Sequence, residues 1–149
     1  MKITIRQGTP EDLPAAYRLV GELAHHLDAT HDFTASLENF HADFDAGFFH
    51  FVVAEDTEAD RVVGLGLYNF VYSTWKGRMI YLEDLVMDPA YRGQGIGQRL
   101  WDTIKARGRE RDCQLLKWQV IEDDDKALRF YSRQEATFEE HWFTGKIEL

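Results

Sequence analysis

The sequence predicts a mixed α/β domain in which one central, mostly antiparallel sheet is flanked by helices. Runs rich in aromatic and β-branched residues predict strands, and segments with apolar residues every three or four positions predict helices. The two kinds of segment are interleaved along the chain, and no internal repeat interrupts them. With 149 residues the chain has the length of one domain, so we expect a single domain over residues 1–149.

The N-terminal part predicts one strand and two helices. Lys2–Arg6 alternates apolar and polar residues, which is typical of a short strand. Thr9–Asp12 is typical of a helix start, because threonine caps free amides and proline fits the first helical turn. Apolar residues at helical spacing follow over 13–27, and Leu37–Phe44 predicts a second helix.

The middle of the chain predicts three strands. Phe48–Glu55 and Arg61–Val71 are separated by a short polar segment, so we expect an antiparallel hairpin. Arg78–Met87 is a third run of the same kind and is expected to end at Asp88-Pro89.

The C-terminal part predicts two helices and further strands. The period changes at Gly95, which predicts a helix to about Arg111. Leu115–Ile121 then predicts a buried strand, and Asp123–Asp125 the start of another helix. The tail, Ala136–Leu149, alternates enough to supply one or two closing strands.

Composition limits the classes of partner and compartment. A formal charge of −9 would repel nucleic acid, so we expect no nucleic-acid partner. The chain has no apolar run long enough to cross a membrane and Met1–Arg6 does not resemble a signal peptide, so we expect a cytoplasmic protein. Cys113 is the single cysteine, and the six histidines do not have the spacing of a zinc site, so we expect neither a disulfide nor a metal.

The segment Met87–Gly97 lies between an apolar strand and an amphipathic helix and contains three glycines. Glycines let a backbone approach a ligand closely, and free amides at a helix start bind negative charge. The spacing is G-x-G-x-G in mid-chain, unlike a dinucleotide site, and the Gly-Lys-Ser/Thr of a P-loop is absent. The segment therefore predicts another kind of phosphate site, with a glycine-rich turn without a ligand as the alternative.

Arg92-x-x-Gly95-x-Gly97 resembles the signature with which GNAT acyltransferases bind the pyrophosphate of coenzyme A. Tyr81–Met87, Tyr91–Gly97 and Trp75–Gly77 resemble the diamine and polyamine (spermidine/spermine) N-acetyltransferase branch of that family. The resemblance implies the GNAT fold and acetyl-CoA as acyl donor. It also implies a set of residues that contact the donor: Leu85, Val86, Met87, Arg92, Gly93, Gln94, Gly95, Ile96, Gly97, Gln98, Asp124 and Ala127.

The resemblance also implies catalytic roles. Glu83 would help to deprotonate the amine, directly or through a water, and Tyr131 would protonate the departing thiolate. Adjacent strand residues point to opposite faces, so we expect only one of Glu83 and Asp84 to enter a given cleft. Glu83, Asp84 and His26 are the predicted acceptor-binding residues. The structural alternatives are an ion pair for Glu83 on a solvated sheet face and a packed core position for Tyr131.

The sequence departs from the family pattern at three places. Asp124 stands where relatives carry asparagine, and Glu135 stands where they carry glycine. A left-handed backbone conformation is costlier for glutamate, so we expect the turn at Glu135 to be rebuilt. The third departure is at His25-His26-Leu27, where the polyamine branch carries an acidic residue. Cys113 is a separate case: we expect it to be a packed residue and not a nucleophile.

The predicted function is direct transfer of an acetyl group from acetyl-CoA to a primary amine of a small molecule, such as a diamine, polyamine or amino-acid-like amine. The alternatives are acetylation of a protein or peptide amine, and a non-catalytic module that senses acyl-CoA. The aromatic tail around His141–Phe143 and the exposed sheet edge predict a homodimer.

Overall fold

Five strands form one mixed sheet in the computed structural model, which describes residues 1–149. Their bounds are β1 Ile3–Gln7, β2 His50–Asp56, β3 Arg61–Ser73, β4 Gly77–Met87 and β5 Leu115–Trp118. The strands lie side by side in chain order; the first four pair antiparallel, and β5 pairs parallel with β4. The predicted fold class, a mostly antiparallel sheet with helices, is confirmed.

Four helices accompany the sheet: α1 Leu13–His26, α2 Leu37–Asp45, α3 Ile96–Glu110 and α4 Asp125–Ser132. The start of α1 follows a short 3₁₀ turn over Pro10–Asp12, as the sequence predicted. The Asp12 carboxylate accepts hydrogen bonds from the backbone N–H and the hydroxyl of Thr9 at 2.8 and 3.1 Å, which fixes the entry of the chain into the helix. None of the helices is long and apolar enough to cross a bilayer.

The two faces of the sheet carry different helices. On one face, buried side chains of β2, β3 and β4 pack with α1 in the main core, which is made of Leu13, Ala16, Leu19, Phe51, Val53, Val62, Leu65, Leu67 and Val86. On the other face, glycines of β3 let α3 pack closely. A Cβ at Gly66 would lie 2.4 Å from Cδ1 of Ile104, so a larger residue there would force the Ile104 side chain to move.

The chain forms two compact units, Met1–Trp118 and Gln119–Leu149. The first holds the sheet with α1 to α3, and the second holds α4 and the tail. The prediction of closing strands over Ala136–Leu149 is wrong, since no strand forms there. Alternation alone does not make a strand, because the backbone also needs a hydrogen-bonding neighbour, and nothing else in the second unit is extended into a strand.

The strand predicted over Leu115–Ile121 is shorter and less buried than expected. It ends at Trp118, and its residues alternate between exposed and half-buried. As the last strand of the sheet, β5 has a paired neighbour on one side only, which explains the exposure.

The turn after α4 is also corrected. Glu135 has φ +60°, the left-handed conformation that glycine favours, so the turn keeps its shape and is not rebuilt. The N–H of Glu135 bonds to the carbonyl of Ser132, and that of Ala136 bonds to the carbonyl of Tyr131, which is the Schellman arrangement. The glutamate adopts this conformation at a cost in backbone energy.

Candidate active site

The backbone between β4 and α3 is shaped to receive an anion. Gly93 and Gly95 have φ values of +76° and +77°, and α3 begins directly after them at Ile96. The five backbone N–H groups of residues 93–97 have no hydrogen-bond acceptor within the protein. A Cβ placed on Gly93, Gly95 or Gly97 would meet nothing within 4 Å, so the space over this turn is open. We refer to residues 92–97 as the cradle.

Charge at the cradle is positive. Five free N–H groups meet the N-terminus of a helix of 15 residues, whose dipole favours negative charge. The Arg92 side chain is exposed and has no ion pair or hydrogen bond in the structure. A diphosphate complements this arrangement, because it is negatively charged and has several oxygens that can accept hydrogen bonds from the free N–H groups.

The turn before the cradle is fixed by buried carboxylates. Asp88, at the end of β4, accepts a hydrogen bond from Arg61 at 2.7 Å and another from the N–H of Ala90 at 3.0 Å. The Tyr91 hydroxyl donates to Asp56 at 2.9 Å. These contacts tie the turn to the β2–β3 hairpin, so the cradle has a rigid support.

The strand that leads to the cradle has a free edge. β5 pairs with β4 from Met79 to Leu82 only, so the edge of Glu83–Met87 that would face β5 has no partner strand. The backbone of Leu85–Met87 can therefore hydrogen-bond an extended ligand as an added strand would. The free edge and the cradle are consecutive in the chain, so one ligand can contact both.

A β-bulge lies at Glu83. Asp84 pairs with Leu67 and Leu82 pairs with Tyr68, so Glu83 is an extra residue in β4 without a partner on β3. Leu82 and Asp84 therefore pair with consecutive residues of β3, which interrupts the regular alternation of this strand. Glu83 is exposed, whereas Asp84 is half-buried on the face that carries Leu67 and the main core.

The Asp84 carboxyl is unusual in its surroundings. Burial, and to a smaller extent the nearby charge of Glu83, raises its pKa to about 6. No hydrogen bond or ion pair compensates for this burial in the structure. A carboxyl with a pKa near 6 is suited to accept a proton close to neutral pH.

A groove of about 670 Å³ lies between α1 and the end of β4. His26, predicted to bind the acceptor, is one of its lining residues. The others are Arg18, Gly21, Glu22 and His25 from α1, and Val86, Met87, Asp88, Pro89 and Arg92 from the strand end and the cradle. Apolar residues with a few polar groups are typical of a small-molecule site.

Three predicted residues belong to the second compact unit. Asp124 caps α4 by accepting a hydrogen bond from the N–H of Ala127 at 3.1 Å. Tyr131, on the same helix, is 8 % exposed. Burial, together with the charge of Asp124, raises the pKa of Tyr131 to about 12, so its hydroxyl is protonated at neutral pH.

The chain matches the model of the Acetyltransferase (GNAT) family over residues 13–135. It belongs to the GNAT acetyltransferase family. As a GNAT enzyme it is an N-acetyltransferase that uses acetyl-CoA as donor. The family match begins at the first residue of α1 and includes strands β2 to β5, the cradle and α4.

Curated relatives place the chain in the branch that the sequence predicted. It is 34% identical to thialysine N-epsilon-acetyltransferase of Mus musculus, covering 97% of this chain and 91% of the mouse protein. It is likewise 34% identical to the Bos taurus protein of that name, over 98% of this chain and 92% of the relative. Human spermidine/spermine N(1)-acetyltransferase-like protein 1 is 27% identical over 93% of this chain and 21% of its own length.

Solved structures agree with the fold. An aminoglycoside acetyltransferase from an uncultured soil metagenomic sample superposes with a TM-score of 0.81 at 22% identity, covering 99% of this chain and 96% of the other. A Trypanosoma brucei acetyltransferase gives 0.74 at 24% identity, covering 99% of this chain and all of the other.

The structure brings together most of the predicted residues within the first unit. The free edge and the cradle are consecutive, and His26 and Arg92 line one groove. Gln98 is half-buried on α3, and its side-chain amide donates to Asp102 at 2.9 Å. Sequence reasoning missed the supporting residues Asp56, Arg61 and Tyr91, since their contacts join positions 27 and 35 residues apart. The one local sign of this support in the sequence was Asp88, a carboxylate directly after an apolar strand.

Proposed function

We propose that this GNAT enzyme transfers the acetyl group of acetyl-CoA to a primary amine of a small molecule by direct attack of the amine on the thioester. The observation that carries the proposal is the row of five unpaired N–H groups over residues 93–97, next to the free edge of β4. A ligand with a diphosphate and an extended amide-containing arm complements both features, and acetyl-CoA is such a ligand.

The nature of the acceptor is supported by the relatives. Two relatives that match over nearly their whole length are named for the acetylation of thialysine, an amino acid with a side-chain amine. The spermidine/spermine relative is named for a polyamine. Both names describe small aliphatic amines, so we assign the same class of acceptor to this enzyme.

The bulge offers two carboxylates for proton removal from the amine. Glu83 is the residue that the family resemblance favours, and its exposure lets it contact a substrate ammonium or a bridging water. Asp84 is the second candidate, because its raised pKa, about 6, matches the task of a base near neutral pH. We propose that Glu83 assists deprotonation and that Asp84 holds the cationic amine beside it.

Tyr131 is proposed to act on the leaving group. With a pKa of about 12 the phenol stays protonated, so it can donate a hydrogen bond to the departing thiolate at any physiological pH. Complete proton transfer from this phenol to the thiolate is unfavourable, because the thiol, with a pKa near 8.5, is the stronger acid. The main contribution of Tyr131 is therefore stabilisation of negative charge on sulfur as it develops.

Direct attack is favoured over an acetyl-enzyme intermediate. Cys113 is the single thiol, and burial raises its pKa, which keeps the sulfur neutral and poorly nucleophilic. It lies beyond the C-terminus of α3, whereas the cradle is at the N-terminus, roughly 20 Å away along a helix of 15 residues.

We further propose that both compact units belong to one domain and that two copies of the chain associate. The family match runs across the boundary at Trp118 without interruption, which supports the single domain. Apolar side chains of the tail are exposed, with Trp142 at 69 %, Phe143 at 102 % and Ile147 at 84 %, and a homodimer would cover them. Light scattering at micromolar concentration should give twice the mass of one chain; the mass of one chain would contradict the dimer.

The function is tested by incubating the protein with acetyl-CoA and a panel of amines while free thiol is measured. Diamines, polyamines and amino acids with side-chain amines should release thiol, and a peptide with a free N-terminus should not. Turnover with the peptide alone would favour the protein-modifying alternative. Binding of CoA in calorimetry without turnover on any amine would favour a sensor.

A further inference from the structure

The groove between α1 and the end of β4 has an uneven set of charges. Its two carboxylates are already engaged: Glu22 pairs with Arg18 at 2.9 Å, and Asp88 pairs with Arg61 at 2.7 Å. Its remaining polar side chains are donors, namely His25, His26 and Arg92. Neither imidazole has a hydrogen bond or an ion pair in the structure.

The two histidines and Arg92 have different neighbours. Arg92 belongs to the cradle as well as to the lining of the groove. His25 and His26 lie in the last turn of α1, on the opposite wall of the groove. Two exposed imidazoles without acceptors, in a groove whose carboxylates are already paired, can donate hydrogen bonds to an anionic group.

The groove lies within reach of a substrate whose amine is held by the carboxylates of the bulge. Asp84 lies two residues before Val86, so both face the α1 side of the sheet. Two residues of a strand span roughly 7 Å. The apolar side chains of Val86, Met87 and Pro89 line the groove. A substrate with its amine at Asp84 can thus extend an aliphatic stem over this lining toward α1.

We infer that the groove is a subsite for the carboxylate of an amino-acid-like acceptor, and that His25 and His26 bind this carboxylate and select such acceptors over simple diamines. The inference rests on the proposed function, since it assigns the far end of the substrate whose amine is acetylated. The inference also explains the departure at His25-His26-Leu27. A carboxylate on the acceptor is better bound by hydrogen-bond donors than by the acidic residue that the polyamine branch carries there.

The test compares two acceptors that differ in the carboxylate alone. Thialysine is one, and the diamine obtained by removing its carboxyl group is the other. The wild-type enzyme should show a kcat/KM at least about tenfold higher for thialysine, the usual effect of charge-assisted hydrogen bonds. In the double variant His25→Ala and His26→Ala this preference should fall about tenfold, because kcat/KM for thialysine should drop by more than kcat/KM for the diamine.

Two further variants separate the role of the groove from general effects. His26→Lys places an ammonium donor at the same position and should retain the preference for thialysine. His41→Ala removes an exposed histidine of α2 that does not line the groove, and should leave the preference unchanged. The KM for acetyl-CoA should stay the same in all of them.

Each contrary result has a distinct meaning. Acetylation of both amines at equal efficiency by the wild type would overturn the carboxylate subsite and leave the proposed function intact. A raised KM for acetyl-CoA in the double variant, with the preference unchanged, would overturn the inference by assigning the groove to a CoA phosphate. Acetylation of neither amine, nor of any other in the panel, would overturn the proposed function and the inference with it.

Discussion

Asp84 lies directly opposite Leu67 in the β3–β4 ladder, so its carboxyl is on the face of the sheet that carries the apolar core. The bulge at Glu83 creates this relationship, because one extra residue in β4 reverses the alternation beyond it. On this face the Asp84 carboxyl is half-buried, and burial raises its pKa to about 6. The bulge thus places two carboxylates with different surroundings next to each other, beside the free edge of β4.

Asp84 predicts an acid limb in the pH profile. If the anionic form holds the substrate ammonium, kcat/KM should rise as the pH increases through about 6. Asp84→Asn should lower kcat/KM by about tenfold or more and remove this inflection. Asp43→Asn, an exposed position of α2, is the matched control and should keep the wild-type profile. An unchanged inflection in Asp84→Asn would assign it to another group.

The same carboxyl predicts an effect on stability. Its pKa in the folded state lies above the ordinary value of about 3.9. The folded state is therefore most stable below pH 4, where the carboxyl is neutral, and it loses stability as the pH rises through about 6 and the carboxyl ionises. Asp84→Asn should therefore be more stable than the wild type by roughly 1–3 kcal/mol at pH 8, and the difference should shrink toward pH 4. Urea unfolding at the two pH values measures this. A less stable variant at pH 8 would show that the ionised carboxylate is compensated by partners.

Glu83→Gln tests the proposed base. The variant should have its largest rate defect near neutral pH and should partly recover as the pH rises, since more of the amine is then neutral without assistance. Glu38→Gln, an exposed position on α2, should behave as the wild type. A defect of equal size at every pH would make Glu83 a binding or structural residue.

Tyr131→Phe removes one hydroxyl and keeps the ring. The expected result is a kcat lower by about 10²-fold with little change in the affinity for CoA, because the hydroxyl acts on charge that develops on sulfur during the reaction. Tyr72→Phe is a suitable control, since Tyr72 is 71 % exposed near the tip of the β3–β4 hairpin. A kcat near that of the wild type would exclude Tyr131 from leaving-group stabilisation.

The backbone at Glu135 predicts a simple stabilising substitution. Glu135 has φ +60° at the end of α4, so Glu135→Gly should raise the stability by about 0.5–1 kcal/mol. Glu135→Ala removes the charge and keeps the strained backbone, so it should not reproduce the gain. Equal stabilisation by both variants would assign the effect to the charge near the helix end instead.

Much of the fold follows from local sequence signals. The spacing of apolar residues identified all four helices to within a few residues, and the glycine turn was found because glycine is the residue type that positive φ favours, as at Gly93 and Gly95. These features depend on neighbours close in sequence, which a single chain displays directly.

The remaining features depend on distant partners. The bulge at Glu83 exists only relative to β3, and the support of the cradle joins Tyr91 to Asp56 across 35 residues. The tail alternates as a strand does, yet a strand also needs a neighbouring edge. Periodicity carries no information on register or pairing, and the chemistry of the carboxylates depends on both.

The most direct test of the proposed function is an initial-velocity study with acetyl-CoA and thialysine varied together, with mass spectrometry of the product. The proposal predicts an acetylated side-chain amine formed one-for-one with free CoA, and double-reciprocal lines that intersect, because both substrates must be bound before transfer. Parallel lines would indicate an acetyl-enzyme intermediate and contradict direct attack. Release of CoA at a rate independent of the amine would contradict N-acetyl transfer itself.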